Sequence, residues 1–280
     1  METAGLTELD YERIGPASRL LKRAVVNPLI NWILPARFMR WVLHVTRSEV
    51  AHTSWANPGG WKSMVLSYRE DMPPQIADRF LLRLGAMPMA LRNRRKLATE
   101  ILARLIRECS HQPTNVVCLG AGPGMICLDA IEQSGHPDCR AYLIDLNPDS
   151  FAFGQALAES KDLAHRVEFI HGDVTHYRSL CSATPHVVKM IGIIEYLPDA
   201  VVLDIARAIV EAMPADGVLV ANSLTQEHGT DRFFRRVFDL HMIHRTADEV
   251  RTLLGQAGLA TEAVFTEPLG VYDVLVCRKK

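Results

Sequence analysis

The sequence has little of what would place it quickly in a structural class. Its 280 residues include six cysteines, none of them arranged as a C-x-x-C pair, so we predict neither a disulfide framework nor a zinc site. Neither sign of charge dominates, since the formal net charge is −1, and this balance gives no reason to expect a nucleic-acid partner. The first residues lack the basic-then-apolar layout of a signal peptide, so we expect a cytoplasmic protein.

Long apolar runs are also absent. The most apolar stretch near the start, residues 24–46, is interrupted by Pro28, Pro35, Arg37 and Arg40. It is too broken to span a bilayer, and we expect no integral membrane association. We interpret it as a buried helix pair or a lid, in preference to a segment that lies on a bilayer.

The pattern of apolar residues changes near Pro113. Before it, apolar residues recur at a spacing of three to four, which predicts helices. Within that part we interpret the basic run Arg92–Lys96 as a solvated helix face rather than an anion contact. We favour core packing over an acceptor wall for Trp55, Trp61 and Tyr68.

After Pro113, short apolar strands alternate with helices, which is typical of a mostly parallel sheet covered on both faces. The last two strands are close enough in sequence to form an antiparallel hairpin. The predicted strands are Asn115–Leu119, Ala141–Ile144, Val167–Ile170, Val187–Ile191, Gly217–Ala221, Ala260–Phe265 and Tyr272–Arg278. The predicted fold class is therefore α/β, a doubly wound seven-stranded sheet preceded by an N-terminal helical segment.

A glycine-rich turn follows the first of these strands. Glycines alternate at positions 120, 122 and 124, and glycine lets the backbone approach a ligand without interference from Cβ. The next residues, 125–134, are predicted to form a helix whose N-terminal amides point into the turn. This arrangement predicts a cradle for a small polar ligand, such as a nucleoside cofactor.

Two acidic residues at strand ends extend the cradle. Asp145 ends the second predicted strand, beside the glycine turn in a doubly wound sheet, where it can accept both hydroxyl hydrogens of a ribose. Asp173, in Gly172-Asp173-Val174, follows the third strand and can accept a hydrogen from an adenine amine. The alternatives are that Asp145 caps the helix after Pro148 and that Asp173 only forms a turn with Gly172.

On these motifs the chain resembles the class I S-adenosylmethionine-dependent methyltransferases. The matching features are G-A-G-P-G at 120–124, Asp145, Gly172–Val174 and the terminal strand ending Val274–Cys277. The resemblance covers about residues 95–280, which divides the chain into an accessory segment, 1–94, and a cofactor-binding domain, 95–280.

The resemblance implies S-adenosylmethionine as the cofactor, with no metal. Its methionine end would lie on the glycine turn, its ribose at Asp145 and its adenine at Asp173 and Val174. The implied cofactor contacts are Gly120, Ala121, Gly122, Gly124, Asp145, Leu146, Asp173, Val174, Ile191 and Gly192.

A nicotinamide cofactor is the competing interpretation of a glycine turn followed by an acidic strand end. The G-x-G-x-x-G fingerprint requires glycine three positions after the second glycine. Met125 occupies that position, and Gly124 comes one residue too early. The turn therefore favours S-adenosylmethionine.

Candidate catalytic residues lie where the fourth and fifth strands end. Tyr196 could contact the cationic sulfur or orient an acceptor, and Glu195 could bind an amine or take a proton. Ser223 could hydrogen-bond a substrate. The alternatives are a helix-start role for Tyr196, a helix-dipole role for Glu195 and a turn role for Ser223.

These features predict an enzyme that methylates a small molecule. The sequence is also compatible with a homo-oligomer. A fainter resemblance to nicotianamine synthase, in Gly120–Pro123 and Phe169–Val174, leaves open transfer of the aminocarboxypropyl arm. Cyclisation of the cofactor, as in azetidine-2-carboxylate synthases, is a related alternative. A cofactor-binding protein without turnover is a third.

Overall fold

The computed structural model describes residues 5–280 and contains one seven-stranded sheet. The strands are β1 Thr114–Leu119, β2 Cys139–Asp145, β3 Val167–His171, β4 Val187–Met190, β5 Val218–Asn222, β6 Leu259–Thr266 and β7 Asp273–Lys279. Their order is β3-β2-β1-β4-β5-β7-β6, and β7 runs antiparallel to both of its neighbours. The predicted α/β class and the terminal hairpin are confirmed.

Twelve α-helices are present in the described part of the chain. They are α1 Pro16–Leu21, α2 Ala36–Val45, α3 Glu49–Ala56, α4 Trp61–Tyr68, α5 Ile76–Arg79, α6 Ala86–Glu108, α7 Met125–Ser134, α8 Phe151–Ser160, α9 Tyr177–Leu180, α10 Asp199–Ala212, α11 Asp231–Phe238 and α12 Ala247–Gln256. Wider helical turns occupy Lys22–Val26, Leu29–Ile33 and Phe80–Leu84.

The sheet is covered on both faces because its central strands are apolar on both sides. Residues 116–119 of β1 are completely buried, as expected for a strand in a parallel sheet between two helical layers. Apolar side chains of α6 and α7 form the core on one face, and those of α10 and α12 form it on the other. This packing fixes the carboxyl ends of β1, β2 and β4 along one edge.

Helix α6 joins the N-terminal segment to the sheet. It is continuous from Ala86 to Glu108, so the predicted division between residues 94 and 95 falls inside one helix. The N-terminal helices pack partly on α11, where Met39 and Leu43 meet Val237 and Phe238.

The stretch 24–46 does not form a buried helix pair. Within it, only Asn31, Met39 and Leu43 are buried, and neither α1 nor Lys22–Val26 contains a buried residue. The interpretation as a buried pair was wrong because the interrupted apolar residues point outward as well as inward.

The basic run Arg92–Lys96 is not a solvated face either. Arg92 is 3% and Arg94 1% exposed. Arg92 binds both carboxylate oxygens of Glu12 and the carbonyl oxygens of Ser67 and Leu82. Such pairing makes the burial of a guanidinium tolerable, and it ties the N-terminal residues to α6.

Candidate functional site

The glycine turn predicted after the first strand forms a tight loop between β1 and α7. Gly120, Gly122 and Gly124 all have positive φ, a conformation that other residues rarely adopt. At Gly120 a Cβ atom would also lie only 2.8 Å from the side chain of Ile193. Only glycine therefore suits position 120, and the loop backbone stays open to a ligand.

Asp145 closes this loop from the neighbouring strand. One carboxylate oxygen accepts from the Gly122 amide at 2.6 Å, and the other accepts from the Asn147 amide at 2.8 Å. Asn147, not Asp145, caps the helical turn that starts at Pro148. Each oxygen of Asp145 keeps a second lone pair for another donor, as a ribose diol would require.

Asp173 follows β3, two residues after its last residue, His171. Its Oδ1 accepts from both the backbone amide and the hydroxyl of Thr175, at 2.9 and 2.8 Å. These hydrogen bonds lower the pKa of Asp173, so it is ionised at neutral pH. The turn role that we considered for Asp173 is thus present, and it leaves Oδ2 available.

A cavity of about 360 Å³, here called the glycine-loop cavity, lies between these residues and the N-terminal segment. The structure brings all ten predicted cofactor contacts to it. They are Gly120, Ala121, Gly122, Gly124, Asp145, Leu146, Asp173, Val174, Ile191 and Gly192. Their role in cofactor binding remains a prediction.

Helix α4 forms the opposite wall of the glycine-loop cavity. Trp61 and Tyr68 line it, and the Trp61 ring lies 5.8 Å from that of Phe153. Trp55 is elsewhere and donates to the Val237 carbonyl. The expected core packing therefore holds for Trp55 and for Tyr68, which packs with Met87 and Leu91 while it also lines the cavity. Trp61 instead faces the cavity.

Lys189 is a cavity residue that the sequence analysis missed. It lies on β4, is 4% exposed, and lines the glycine-loop cavity beside Cys118 and Cys127. No carboxylate among residues 5–280 pairs with it. A lone lysine in the apolar strand Val187–Met190 was the available signal, because lysine is almost never buried without a partner.

A buried ion pair stands beside Gly192. The Arg94 guanidinium lies 3.1 Å from the Glu195 carboxylate, with both side chains at most 3% exposed. It also lies 4.3 Å from the centre of the Tyr272 ring. Burial alone would lower the pKa of Arg94, but the neighbouring Tyr272, Tyr68 and Glu195 outweigh burial and raise it. Arg94 therefore supplies a fixed positive charge.

Tyr196 stands at a junction between two cavities. Burial, reinforced by the Glu195 carboxylate, raises the pKa of Tyr196, so its hydroxyl remains a hydrogen-bond donor. Its hydroxyl lies close to Gly59, where a Cβ atom would be only 2.7 Å from the oxygen. Tyr196 lines both cavities and is 39% exposed overall.

The second cavity, here called the aromatic cavity, has a volume of about 610 Å³. Its aromatic lining is Phe80, Tyr196, Phe233, Phe234, Phe238 and Tyr272. It shares Gly59, Met64, Arg94, Gly192 and Tyr196 with the glycine-loop cavity. Glu195 lines the aromatic cavity only.

Ser223 is not part of either cavity. It is completely buried, and its hydroxyl donates to the Asp273 carboxylate at 2.6 Å. The structure does not bring it to Tyr196, because the hydroxyl is committed to joining β5 to β7. We therefore do not carry Ser223 forward as a catalytic residue.

The strand order, the glycine loop and the acidic ends of β2 and β3 define the class I S-adenosylmethionine-dependent methyltransferase superfamily. Within that class, the chain belongs to the family described as "Putative methyltransferase", whose model matches residues 75–279.

Individual relatives agree with this assignment. The phenazine O-methyltransferase PhzM of Lysobacter antibioticus is 32% identical over 162 residues, which are 56% of this chain and 46% of the relative. The match therefore spans less than half of that protein's length.

Solved structures show the same fold. A possible exported protein from Bordetella parapertussis superposes with a TM-score of 0.67 at 18% identity, over 95% of this chain and 99% of that chain. The pyocyanin biosynthetic protein PhzM superposes with a TM-score of 0.54 at 21% identity, over 89% and 74%. At these identities the similarity concerns the fold alone.

Proposed function

We propose that the protein transfers a methyl group from S-adenosylmethionine to a small, largely apolar acceptor. The observation that carries this proposal is the junction of two unlike cavities at Tyr196 and Gly192. One has carboxylates and open backbone groups suited to a nucleoside, and the other has an aromatic lining suited to an acceptor.

The residues of the glycine-loop cavity fit this cofactor. The free lone pairs of Asp145 would accept from the ribose, and Asp173 would accept from the adenine amine. The Lys189 amine, which has no carboxylate partner in the described residues, and the N–H groups of Arg94 that Glu195 does not occupy would donate hydrogen bonds to the carboxylate of the methionine arm. When bound, S-adenosylmethionine supplies an electrophilic methyl group.

The chain's own contribution is mostly to position the acceptor and exclude water. The protonated Tyr196 hydroxyl can donate a hydrogen bond to an acceptor at the junction, and the apolar lining of the aromatic cavity would keep water from that acceptor. Glu195 neutralises Arg94, so we assign it the positioning of that guanidinium rather than the role of a free base.

Neither the relatives nor the described residues favour arm transfer, cyclisation or binding without turnover. The relative PhzM of Lysobacter antibioticus is a phenazine O-methyltransferase, and the aromatic cavity would suit a planar hydroxylated acceptor of that kind. Hydroxylated aromatics of one to three rings are therefore the first acceptors to test.

Mass spectrometry of the products tests the proposal. The protein is incubated with S-adenosylmethionine alone and then with each aromatic acceptor. We expect S-adenosylhomocysteine and a methylated acceptor to appear together, and only when the acceptor is present. Methylthioadenosine formed without an acceptor would instead indicate arm transfer or cyclisation. Tight cofactor binding without any product would indicate a non-catalytic protein.

A further inference from the structure

The N-terminal segment has an exposed apolar surface that methyl transfer does not explain. We call residues 13–47 the basic apolar segment. Its exposed large apolar side chains are Leu20, Leu21, Val25, Val26, Leu29, Trp32, Ile33, Phe38, Trp41 and Val45. Soluble monomers rarely leave so many neighbouring apolar side chains exposed without a binding partner.

Charge in this segment is of one sign. Residues 13–47 contain six arginines and one lysine but no Asp or Glu. The arginines are Arg13, Arg19, Arg23, Arg37, Arg40 and Arg47, and all of them are exposed. None forms an ion pair with a residue in the range 5–280.

Helix α2 shows how the two properties combine. Met39 and Leu43 turn inward onto α11, whereas Arg37, Arg40 and Trp41 are exposed. The Trp41 ring stacks on that of Phe38 at 6.0 Å. Tryptophan and arginine together on the outer side of an amphipathic helix are typical of helices that lie at a membrane surface.

The charges of the basic apolar segment indicate which partner could cover it, a second copy of the chain or an anionic lipid surface. In a symmetric dimer the same patch would meet itself, which would bring unpaired arginines of both copies together. An anionic lipid surface instead neutralises them and accepts the apolar side chains between them. No helix in residues 5–280 is long and apolar enough to cross a bilayer, so the contact would be peripheral.

The aromatic cavity reaches the surface at the same segment. Leu21 and Val26 line this cavity, as do Phe80 and Leu84, and all four side chains are also exposed. An apolar compound dissolved in the membrane could therefore reach the aromatic cavity without crossing bulk water.

We propose that the basic apolar segment docks the protein on membranes that contain anionic lipids, with the mouth of the aromatic cavity facing the lipid. The docking does not depend on which reaction the enzyme performs.

Vesicle co-sedimentation tests the docking without any cofactor or acceptor. The full-length protein is mixed with vesicles of phosphatidylcholine, with or without phosphatidylglycerol. We expect binding to the anionic vesicles that weakens as salt is raised, and little binding to the neutral ones.

Two pairs of substitutions locate the surface. Arg37→Gln with Arg40→Gln should weaken binding to anionic vesicles by roughly 30-fold, because each basic residue near such a surface contributes a factor of about five. The matched control is Arg140→Gln with Arg207→Gln, which removes two exposed arginines from the sheet domain. This control should bind like the parent protein.

Three outcomes would overturn the proposal. One is equal binding to neutral and anionic vesicles, and another is an equal loss in the control variant. The third is no vesicle binding. In that case the lipid-free protein is examined by sedimentation velocity. A dimer would assign the exposed apolar face to a second copy of the chain. A monomer would point to an acidic protein partner.

Discussion

Asp145 joins the glycine loop to the end of β2 through a single side chain. Its two oxygens already accept from Gly122 and Asn147, and these bonds orient the remaining lone pairs toward the glycine-loop cavity. Lys189 and Arg94 line the same cavity and supply N–H donors. For the proposed cofactor, the site would therefore offer hydrogen-bond acceptors to the ribose and adenine and N–H donors to the carboxylate of the methionine arm.

The first prediction concerns Asp145. Asp145→Ala should raise the Kd for S-adenosylmethionine by about 10-fold or more, because charge-assisted hydrogen bonds to the ribose are lost. Isothermal titration calorimetry measures this change. Asp149→Ala removes an exposed carboxylate of the same loop and should leave the Kd unchanged. Equal affinities of the parent and Asp145→Ala would refute the ribose assignment.

A second prediction concerns the buried pair Arg94–Glu195. Arg94→Met leaves the Glu195 carboxylate buried without its partner and should lower the free energy of unfolding by about 3–5 kcal/mol. Adding Glu195→Met should restore much of that loss, because neither charge of this pair then remains buried. Urea denaturation measures both.

The control for Arg94→Met is Arg207→Met, which replaces an exposed arginine. It should change the free energy of unfolding by less than about 0.5 kcal/mol. Glu195→Met alone is measured as well. If the double variant loses the sum of the losses of Arg94→Met and Glu195→Met, the two side chains are not coupled.

At the scale of elements, the β1–α7 loop is shaped by glycines with positive φ. Gly120 and Gly135 have similar φ angles, 61° and 63°, at opposite ends of the unit. A Cβ at Gly120 would collide with Ile193, whereas at Gly135 nothing lies within 4 Å. A comparison of substitutions at these two glycines therefore separates the cost of the left-handed backbone from the cost of crowding at the glycine-loop cavity.

The third prediction compares alanine at these two glycines. Gly135→Ala should lower the free energy of unfolding by about 1 kcal/mol through its left-handed backbone alone. Gly120→Ala should lose more, and it should weaken cofactor binding because Ile193 must move. Denaturation and calorimetry measure the two effects. Equal losses of stability with unchanged binding would contradict the account of the loop.

A fourth prediction concerns pH at the start of β1. The Nδ1 atom of His186 accepts from the Asn115 amide at 2.9 Å, which requires the neutral ring. Burial and the stacked His111 lower the pKa of His186, against a smaller opposing effect of Asp216.

The unfolded chain therefore binds the proton more readily, and stability should fall as pH drops below about 6.5, the ordinary pKa of histidine. His186→Asn keeps an acceptor but does not titrate, so it should lose less stability between pH 7.5 and 5. Denaturation at both pH values measures the difference. Burial also lowers the pKa of His244, but this residue contributes equally to the parent protein and to His186→Asn. If the stability of the two proteins has the same pH dependence, the effect does not come from His186.

The elements of the sheet domain were predictable because their signals are local. Apolar strands, glycine turns and acidic strand ends are short patterns, and parallel strands bring their carboxyl ends to one edge. Arg94 was not predictable, because its burial depends on Glu195, 101 residues away. Ser223 was misjudged for a similar reason, since its partner Asp273 is 50 residues distant.

At the scale of the whole molecule, the two cavities are formed jointly by the N-terminal segment and the sheet domain. The sheet edge supplies the glycine loop and its carboxylates, and α4 supplies the opposite wall. The same segment and α11 enclose much of the aromatic cavity. The junction at Tyr196 therefore exists only when both parts of the chain are folded together.

A crystal structure with S-adenosylhomocysteine tests this account most directly. We predict that the ribose contacts Asp145, the adenine lies near Asp173 and Val174, and the sulfur faces the aromatic cavity beside Tyr196 and Gly192. A nucleoside bound elsewhere, or a sulfur atom directed away from the aromatic cavity, would contradict the proposed transfer between the two cavities.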